Sequence, residues 1–131
     1  MKKSLIEKGF PFDEISRIAE QESWRKDINR PTSYIHKWWA RRLGTVFRSL
    51  IIGGIEAENT DIFEKFYNST KYKDMVIFDP FMGSGTTITE AVKLGAKVVG
   101  SDINPVACCM VRTALEKYNR EEGMGSRKKL Y

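Results

Sequence analysis

The stretch VIFDPFMGSGTT, residues 76–87, decides the fold of this chain. An apolar run from Met75 to Phe78 leads into Asp79-Pro80, which is typical of a strand buried on both faces in a parallel sheet. Two glycines, Gly83 and Gly85, follow one residue apart, and they would let backbone N–H groups approach a ligand without a Cβ in the way. The stretch therefore predicts a strand that leads into a ligand-binding turn.

The residues after this turn predict a helix, a second strand and a further helix. Apolar residues at helical spacing favour a helix over 87–94 that Gly95 would end, and 97–102 would return as a second, parallel strand. Pro105 suits the first turn of the next helix. The inward residues of that helix would be Val106, Met110, Val111, Ala114, Leu115 and Tyr118. This order is the start of a Rossmann-like sheet, so we expect an incomplete α/β fold with about two parallel strands.

The chain before residue 75 has the patterns of helices rather than strands. The predicted helices span residues 13–26, 33–52 and 60–67, and the last would bury Ile62, Phe63 and Phe66. Gly53-Gly54 would end the second helix in a left-handed turn. We therefore divide the sequence into a helical amino-terminal segment (1–74), the first half of a Rossmann-like domain (75–120) and a frayed tail (121–131).

Composition and charge limit the class of protein. The 131 residues are 41% hydrophobic and 30% charged, as expected of a soluble globular domain. No apolar run approaches the ~20 residues that cross a bilayer, and no secretory signal is recognised, so we expect a cytoplasmic protein without membrane contact. The net charge of +5 favours nucleic-acid binding only weakly. The adjacent Cys108 and Cys109 are unsuited to a metal pair, so no metal is expected and both thiols should pack within a helix.

Two carboxylates should meet beside the glycine turn. In Rossmann-like sheets the ligand lies beyond the carboxyl ends of the strands, where residues 79–87 and Asp102 would converge. Asp102 could accept hydrogen bonds from both hydroxyls of a ribose, and the helix after the turn would offer its positive end to an anionic group. The ligand should therefore contain a nucleoside.

Three nucleoside ligands compete for this turn. A phosphate loop would need Lys-Ser/Thr after the last glycine, but Thr86-Thr87 stand there. A dinucleotide turn would need a small residue at position 88, but Ile88 is bulky. S-adenosylmethionine has no phosphate and carries an ammonium, a carboxylate and a ribose, so it suits a glycine turn between Asp79 and Asp102. We prefer S-adenosylmethionine.

The same residues carry a family resemblance. FDPFMGSGTT (78–87) followed by GAKVVGSDINP (95–105) resembles the cofactor-binding segments of DNA methyltransferases that modify the exocyclic amino group of adenine or cytosine. RPTSYIHKWWARRL (30–43) is similar to the methionine-contacting segment that precedes the first strand in one branch of that group. Over residues 6–115 the chain resembles the amino-terminal part of large, zinc-ribbon-containing adenine-specific DNA methylases. The resemblance implies S-adenosylmethionine as cofactor and DNA as partner.

The resemblance also implies roles for individual residues. Asp79 would meet the methionine ammonium, Asp102 would hold the ribose, and Ile103 would lie against the adenine face. Thr32, Ser33, His36 and Lys37 would reach the methionine carboxylate, and His36 is otherwise more simply explained as a structural residue. The implied cofactor-binding residues are Asp79, Pro80, Phe81, Gly83, Ser84, Gly85, Thr86, Asp102, Ile103, Lys37, Thr32 and Ser33.

The basic, aromatic segment before the glycine turn is a candidate nucleic-acid surface. Trp38 could stack on bases, and Arg41, Arg42 and Arg48 could contact phosphates, although a solvated helix face is the more common explanation of such arginines. Of the Trp38-Trp39 pair, at least one is expected in the core, and Trp38 is the better candidate for exposure. A piece that binds nucleic acid without any cofactor is therefore an alternative function.

The catalytic segment of the resembled family, Asp/Asn/Ser-Pro-Pro-aromatic, is missing from this sequence. The prolines stand at positions 11, 31, 80 and 105 and are never adjacent. We therefore assign no catalytic residue and expect the chain alone to be inactive. The expected partner is a second polypeptide that carries the rest of the methyltransferase fold. The alternative is an inert or regulatory module that binds S-adenosylmethionine.

Overall fold

The computed structural model describes residues 3–24, 37–67 and 72–123, with side chains up to residue 116. Within these ranges the elements in chain order are α1 (Phe12–Trp24), α2 (Gly44–Ile55), α3 (Ile62–Tyr67), β1 (Val76–Asp79), α4 (Thr86–Lys93), β2 (Lys97–Gly100) and α5 (Pro105–Gly123). Thr32, Ser33 and His36 lie outside the described residues, as does most of the predicted tail. No helix of the described part is long and apolar enough to cross a membrane.

A parallel β1–α4–β2 unit forms the centre of the structure. β1 and β2 pair in parallel, from Val76 opposite Lys97 to Asp79 opposite Gly100. Gly95, with a φ of 79°, follows α4 and turns the chain back toward the sheet. The predicted order of strand, glycine turn, helix and strand is therefore confirmed, and the chain has a mixed α/β structure with a two-stranded parallel sheet.

The two faces of this sheet differ. Ile77 and Val98, which are partners in the register, pack against the main hydrophobic core. On the other face Val76, Phe78 and Val99 are 60%, 61% and 51% exposed. The prediction that β1 is buried on both faces is wrong, because no described element covers this second face.

The main core combines residues from both halves of the chain. Ile52 of α2, Ala91 of α4 and Leu94, which directly follows α4, are completely buried within it. The other buried members are Leu5, Phe10, Ile15, Ile51, Ile62, Phe66, Tyr72 and Ala96. A second cluster, formed by Met82, Ile88 and Val111, packs α5 against the glycine turn and α4. The helical segment before residue 75 thus shares its core with the β1–α4–β2 unit.

The second predicted helix is shorter at its start and longer at its end than expected. Residues 37–43 are not helical, and α2 begins at Gly44. The Glu22 carboxylate of α1 accepts hydrogen bonds there from the N–H groups of Gly44 (3.0 Å) and Thr45 (2.9 Å) and from Thr45 Oγ1 (2.6 Å). Because a side chain from another helix caps these N–H groups, the start of α2 is set by tertiary structure.

The predicted left-handed stop at Gly53-Gly54 is also wrong, since both glycines lie inside α2. A Cβ at position 53 would lie 2.9 Å from Cε2 of Phe10. Gly53 therefore allows the Phe10 ring to pack against the helix, which is a requirement that local sequence patterns do not show.

A buried charged network connects α2, α3 and α4. Glu90 is 7% exposed, and its carboxylate lies 2.6 Å from Lys93 Nζ and 3.5 Å from a guanidinium nitrogen of Arg48. Arg48 Nε also donates to the carbonyl oxygen of Phe66 at 2.9 Å. Arg48 therefore stabilises the interior, and its side chain lies neither on the solvated helix face that was favoured for it nor free for the alternative, a phosphate contact.

The last helix agrees only in part with its predicted inward face. Met110, Val111 and Ala114 are buried and Leu115 is half-buried, but Val106 is 51% exposed. Tyr118 lies beyond the described side chains, and α5 continues to Gly123, so residues 121–123 are helical rather than frayed. Cys108 is half-buried against the second cluster, whereas Cys109 is exposed. The packing prediction thus holds for Cys108 and is wrong for Cys109.

The cap on α2 can be tested by removing the Glu22 carboxylate. We expect Glu22→Ala to lower the free energy of unfolding by about 1–2 kcal/mol, because two helix N–H groups lose their acceptor. Glu20→Ala is the matched control, since Glu20 is exposed on the same helix, and it should change stability by less than about 0.5 kcal/mol. Urea unfolding followed by circular dichroism measures both, and equal effects would contradict the cap.

Candidate functional site

The candidate site begins where β1 ends. Asp79 is the last residue of β1, and its Oδ1 accepts a hydrogen bond from Phe81 N at 3.1 Å. This bond turns the chain sharply after the strand and leaves the Phe81 side chain 87% exposed. A half-buried carboxylate and an exposed aromatic ring are thereby placed at the carboxyl end of the sheet.

The glycine turn uses its own N–H groups to hold its shape. Gly83 N donates to Asp102 Oδ2 at 2.8 Å, and Gly85 N donates to the carbonyl oxygen of Met82 at 2.7 Å. These two amides are therefore already bonded within the protein, and a ligand would have to meet other groups of the turn. Both amides are used within the protein because the turn has to be tied to the neighbouring strand end.

The two glycines are required by backbone conformation and by packing. Gly83 and Gly85 have φ values of 49° and 76°, in the left-handed region that side chains disfavour. A Cβ on Gly85 would lie 2.5 Å from Cγ2 of Val111 in α5. The glycines therefore bring α5 close to the turn, and the loop's lack of side chains is in part a packing feature.

Asp102 connects the second strand to the turn. Its Oδ1 accepts from Asn104 N at 2.8 Å and its Oδ2 from Gly83 N at 2.8 Å. These hydrogen bonds, from Asn104 and then from Gly83, hold the pKa of the Asp102 carboxyl below its usual value. Asp102 is therefore charged at neutral pH and fixes the distance between the two strand ends.

A cavity of about 510 Å³ lies beside the turn, which is within the range of small-molecule sites. It is bounded on one side by the end of β1 and the glycine turn, and on the other by residues before and within α2. The lining residues are Trp38, Ala40, Arg42, Phe47, Phe78, Asp79, Phe81, Gly83, Ser84, Thr86 and Thr87.

The non-helical segment 37–43 forms one wall of this cavity. Trp38 is half-buried, and its indole Nε1 lies 3.6 Å from the position that a Cβ on Gly83 would occupy. Thr86 Oγ1 donates to the carbonyl oxygen of Arg42 at 3.3 Å and joins the wall to the start of α4. Trp39 is 85% exposed, and Lys37 Nζ lies 3.8 Å from the centre of its ring. The expectation that Trp38 is the exposed member of the pair is therefore wrong.

The cavity brings together only part of the predicted sites. From the cofactor prediction it contains Asp79, Phe81, Gly83, Ser84 and Thr86, and from the nucleic-acid prediction Trp38 and Arg42. Other predicted residues are described but are not in the lining: Pro80, Gly85, Asp102, Ile103, Lys37 and Arg41. Ile103 is fully exposed on the loop after β2.

Sequence reasoning missed four residues of the cavity. Phe47 and Phe78 carry an apolar pattern that indicates core positions, and neither Ala40 nor Thr87 carries a signal of its own. These residues become cavity walls only when segment 37–43 folds across the turn. Among the described residues no group of histidine, cysteine, aspartate and glutamate side chains could hold a metal ion.

Comparison with known proteins identifies the segment that carries the turn. Residues 59–112, from before α3 into α5, match the DNA methylase family. The resemblance to DNA methyltransferases that was inferred from the sequence is therefore confirmed for this region.

Three curated methyltransferases share short segments with the chain. The type II methyltransferase M.MjaII of Methanocaldococcus jannaschii is 43% identical over 44 residues, which are 34% of this chain and 8% of that protein. The type II methyltransferase M.MvaI of Kocuria varians is 50% identical over 34 residues, which are 26% of this chain and 8% of that protein. The orphan methyltransferase M.BamHII of Bacillus amyloliquefaciens is 39% identical over 56 residues, which are 40% of this chain and 21% of that protein.

The chain thus spans between 8% and 21% of the length of these relatives. No solved structure matches it.

The packing role of Gly85 predicts a large loss of stability on substitution. Gly85→Ala should lower the free energy of unfolding by about 2–4 kcal/mol, because the new methyl group meets Val111 and the backbone is left-handed. Gly54→Ala is the matched control: nothing lies within 4 Å of its Cβ position inside α2, so it should stabilise by up to about 1 kcal/mol. Thermal and urea unfolding compare the two, and a tolerated Gly85→Ala would refute the close approach.

The bonds of Asp102 predict a specific pH dependence. Since its folded pKa lies below the usual value of about 3.9, the charged carboxylate stabilises the fold above that pH. This contribution is lost as the pH falls from about 4 through the folded pKa. Asp102→Asn should therefore be less stable than wild type at pH 7, with the difference narrowing below about pH 4. A difference that stays constant from pH 7 to acid would contradict the linkage.

Proposed function

We propose that this chain forms the S-adenosylmethionine site of a DNA methyltransferase that acts on the exocyclic amino group of adenine or cytosine. One observation carries the proposal: the glycine turn of the segment that matches DNA methylases forms a wall of a cavity of about 510 Å³. A cavity of this size can take the amino-acid end of such a cofactor, while its nucleoside would lie toward the end of β2, outside the lining.

The charges around the cavity support this choice of cofactor. Asp79 lines the cavity and is the carboxylate suited to the methionine ammonium. A triphosphate would meet this acid unfavourably, and Thr86-Thr87 supply no lysine in compensation. The negative charge of Asp79 and the absence of a lysine at this point of the turn therefore favour a ligand without phosphate.

The neighbouring strand end suits the nucleoside part of the same cofactor. Asp102 uses one acceptor site on each oxygen for Gly83 N and Asn104 N. A carboxylate has about four acceptor sites, so it can still accept hydrogen bonds from a ribose hydroxyl. Ile103, fully exposed beside it, offers an apolar surface to an adenine ring. Both residues border the turn from the β2 side.

In the reaction, the bound cofactor supplies an electrophilic methyl group on a sulfonium centre. This chain's residues would hold that group still and in line with the target nitrogen, since alignment alone supplies effective molarities of ~10⁵ M or more. Asp79 and Asp102 would fix the two ends of the cofactor, and the turn would fix their separation. None of these residues has to accept a proton from the base.

We further propose that a second polypeptide contributes the base-binding and catalytic segment, and that the assembly acts on DNA in the cytoplasm. No Pro-Pro-aromatic segment occurs in this sequence. The exposed sheet face formed by Val76, Phe78 and Val99 supports a partner, because parallel sheets are normally covered on both faces. The chain alone should then bind the cofactor without methylating DNA.

The charge on Asp79 can be tested by isothermal titration calorimetry with S-adenosylmethionine. Asp79→Asn keeps a carbonyl oxygen for Phe81 N but removes the charge, and it should weaken binding roughly 10–100-fold. Asp61→Asn is the matched control, because Asp61 Oδ1 accepts from Phe63 N in the same way at 2.9 Å and lies outside the cavity lining. Binding of ATP or NAD in place of S-adenosylmethionine would overturn the proposed function.

A further inference from the structure

We infer that Arg42 binds the carboxylate of the methionine moiety, and is therefore part of the cofactor site rather than of a DNA surface. The inference rests on the proposed function and assigns a further specificity residue within it. It replaces Lys37 as the cation for this carboxylate.

The first argument is charge complementarity. Among the described residues that line the cavity, Asp79 and Arg42 are the charged ones, and they have opposite signs. The amino-acid end of S-adenosylmethionine carries one ammonium and one carboxylate. Guanidinium groups bind carboxylates through two parallel hydrogen bonds, which fix orientation as well as position. One acid and one arginine on the same cavity therefore match this end of the cofactor.

The second argument is the fixed position of the Arg42 backbone. Its carbonyl oxygen accepts from Thr86 Oγ1 at 3.3 Å, so the residue is attached to the first turn of α4. Two residues later, Gly44 N is bound to the Glu22 carboxylate at 3.0 Å. The backbone is thus held at Arg42 itself and again two residues later, and the guanidinium extends from this position on the cavity wall.

The third argument is that the other nearby cations are used elsewhere. Lys37 Nζ lies over the Trp39 ring at 3.8 Å and is not in the lining. Arg48 is bound to Glu90 and to the carbonyl oxygen of Phe66. No acid among the described residues forms an ion pair with Arg42, whose side chain is exposed at the cavity.

The experiment compares two ligands that have the amino-acid carboxylate with two that lack it. Wild type, Arg42→Ala and Arg42→Lys are titrated calorimetrically with S-adenosylmethionine, S-adenosylhomocysteine, decarboxylated S-adenosylmethionine and 5′-methylthioadenosine. Arg42→Ala should bind the first two roughly 10–100-fold more weakly and the last two as wild type does. Arg42→Lys should recover part of the loss, because an ammonium supplies charge without the planar fork.

Arg112→Ala is the control for removal of an exposed arginine. Arg112 lies on α5, 83% exposed and paired with Glu116 at 3.3 Å, and its loss should change none of the four affinities. Duplex DNA is titrated in parallel at several salt concentrations.

The outcomes separate this inference from the proposed function. If wild type binds none of the four ligands, the proposed function fails. If wild type binds S-adenosylmethionine and Arg42→Ala binds it equally well, the inference alone is overturned. The inference is also overturned if all four ligands weaken together, or if only DNA binding weakens with a smaller salt slope.

Discussion

The hydrogen bond from Gly83 N to the Asp102 carboxylate is the interaction on which the candidate site depends. It spans 19 residues in sequence and 2.8 Å in space, because the parallel register places the ends of β1 and β2 side by side. A second hydrogen bond, from Met82 N to the carbonyl oxygen of Ser101 at 3.0 Å, also joins the turn to the end of β2. The shape of the glycine turn is therefore imposed by the sheet before any ligand arrives.

The backbone of the turn and the side chains around it therefore have different roles. The turn's amides at Gly83 and Gly85 hold the protein together, and the missing Cβ of Gly85 makes room for Val111. Asp79 and Arg42 are the charged side chains among the described residues that line the cavity, and we propose that they select the ligand. The opposite charges of these two side chains are the basis on which we propose a cofactor with an amino-acid end.

Local patterns predicted the centre of the fold but not the wall of the site. The β1–α4–β2 unit follows from short-range features, namely an apolar run, two glycines and helical spacing up to Gly95. The start of α2 could not be predicted in this way, because its cap is Glu22, more than 20 residues earlier. Trp38 and Arg42 were consequently placed on a helix facing DNA, whereas they line the cavity beside the turn.

By itself, the sequence determined the class of fold, the glycine turn and the relation to DNA methylases. These depend on residues close together in the chain, whose preferences are local. Only the tertiary structure decided which charged groups share the cavity, which amides are already bonded and which sheet face is open. Those features depend on side chains brought together from distant elements, such as Arg48 with Glu90 and Asp102 with Gly83. No periodicity in the sequence encodes such pairings, because they exist only after the helices have packed on the sheet.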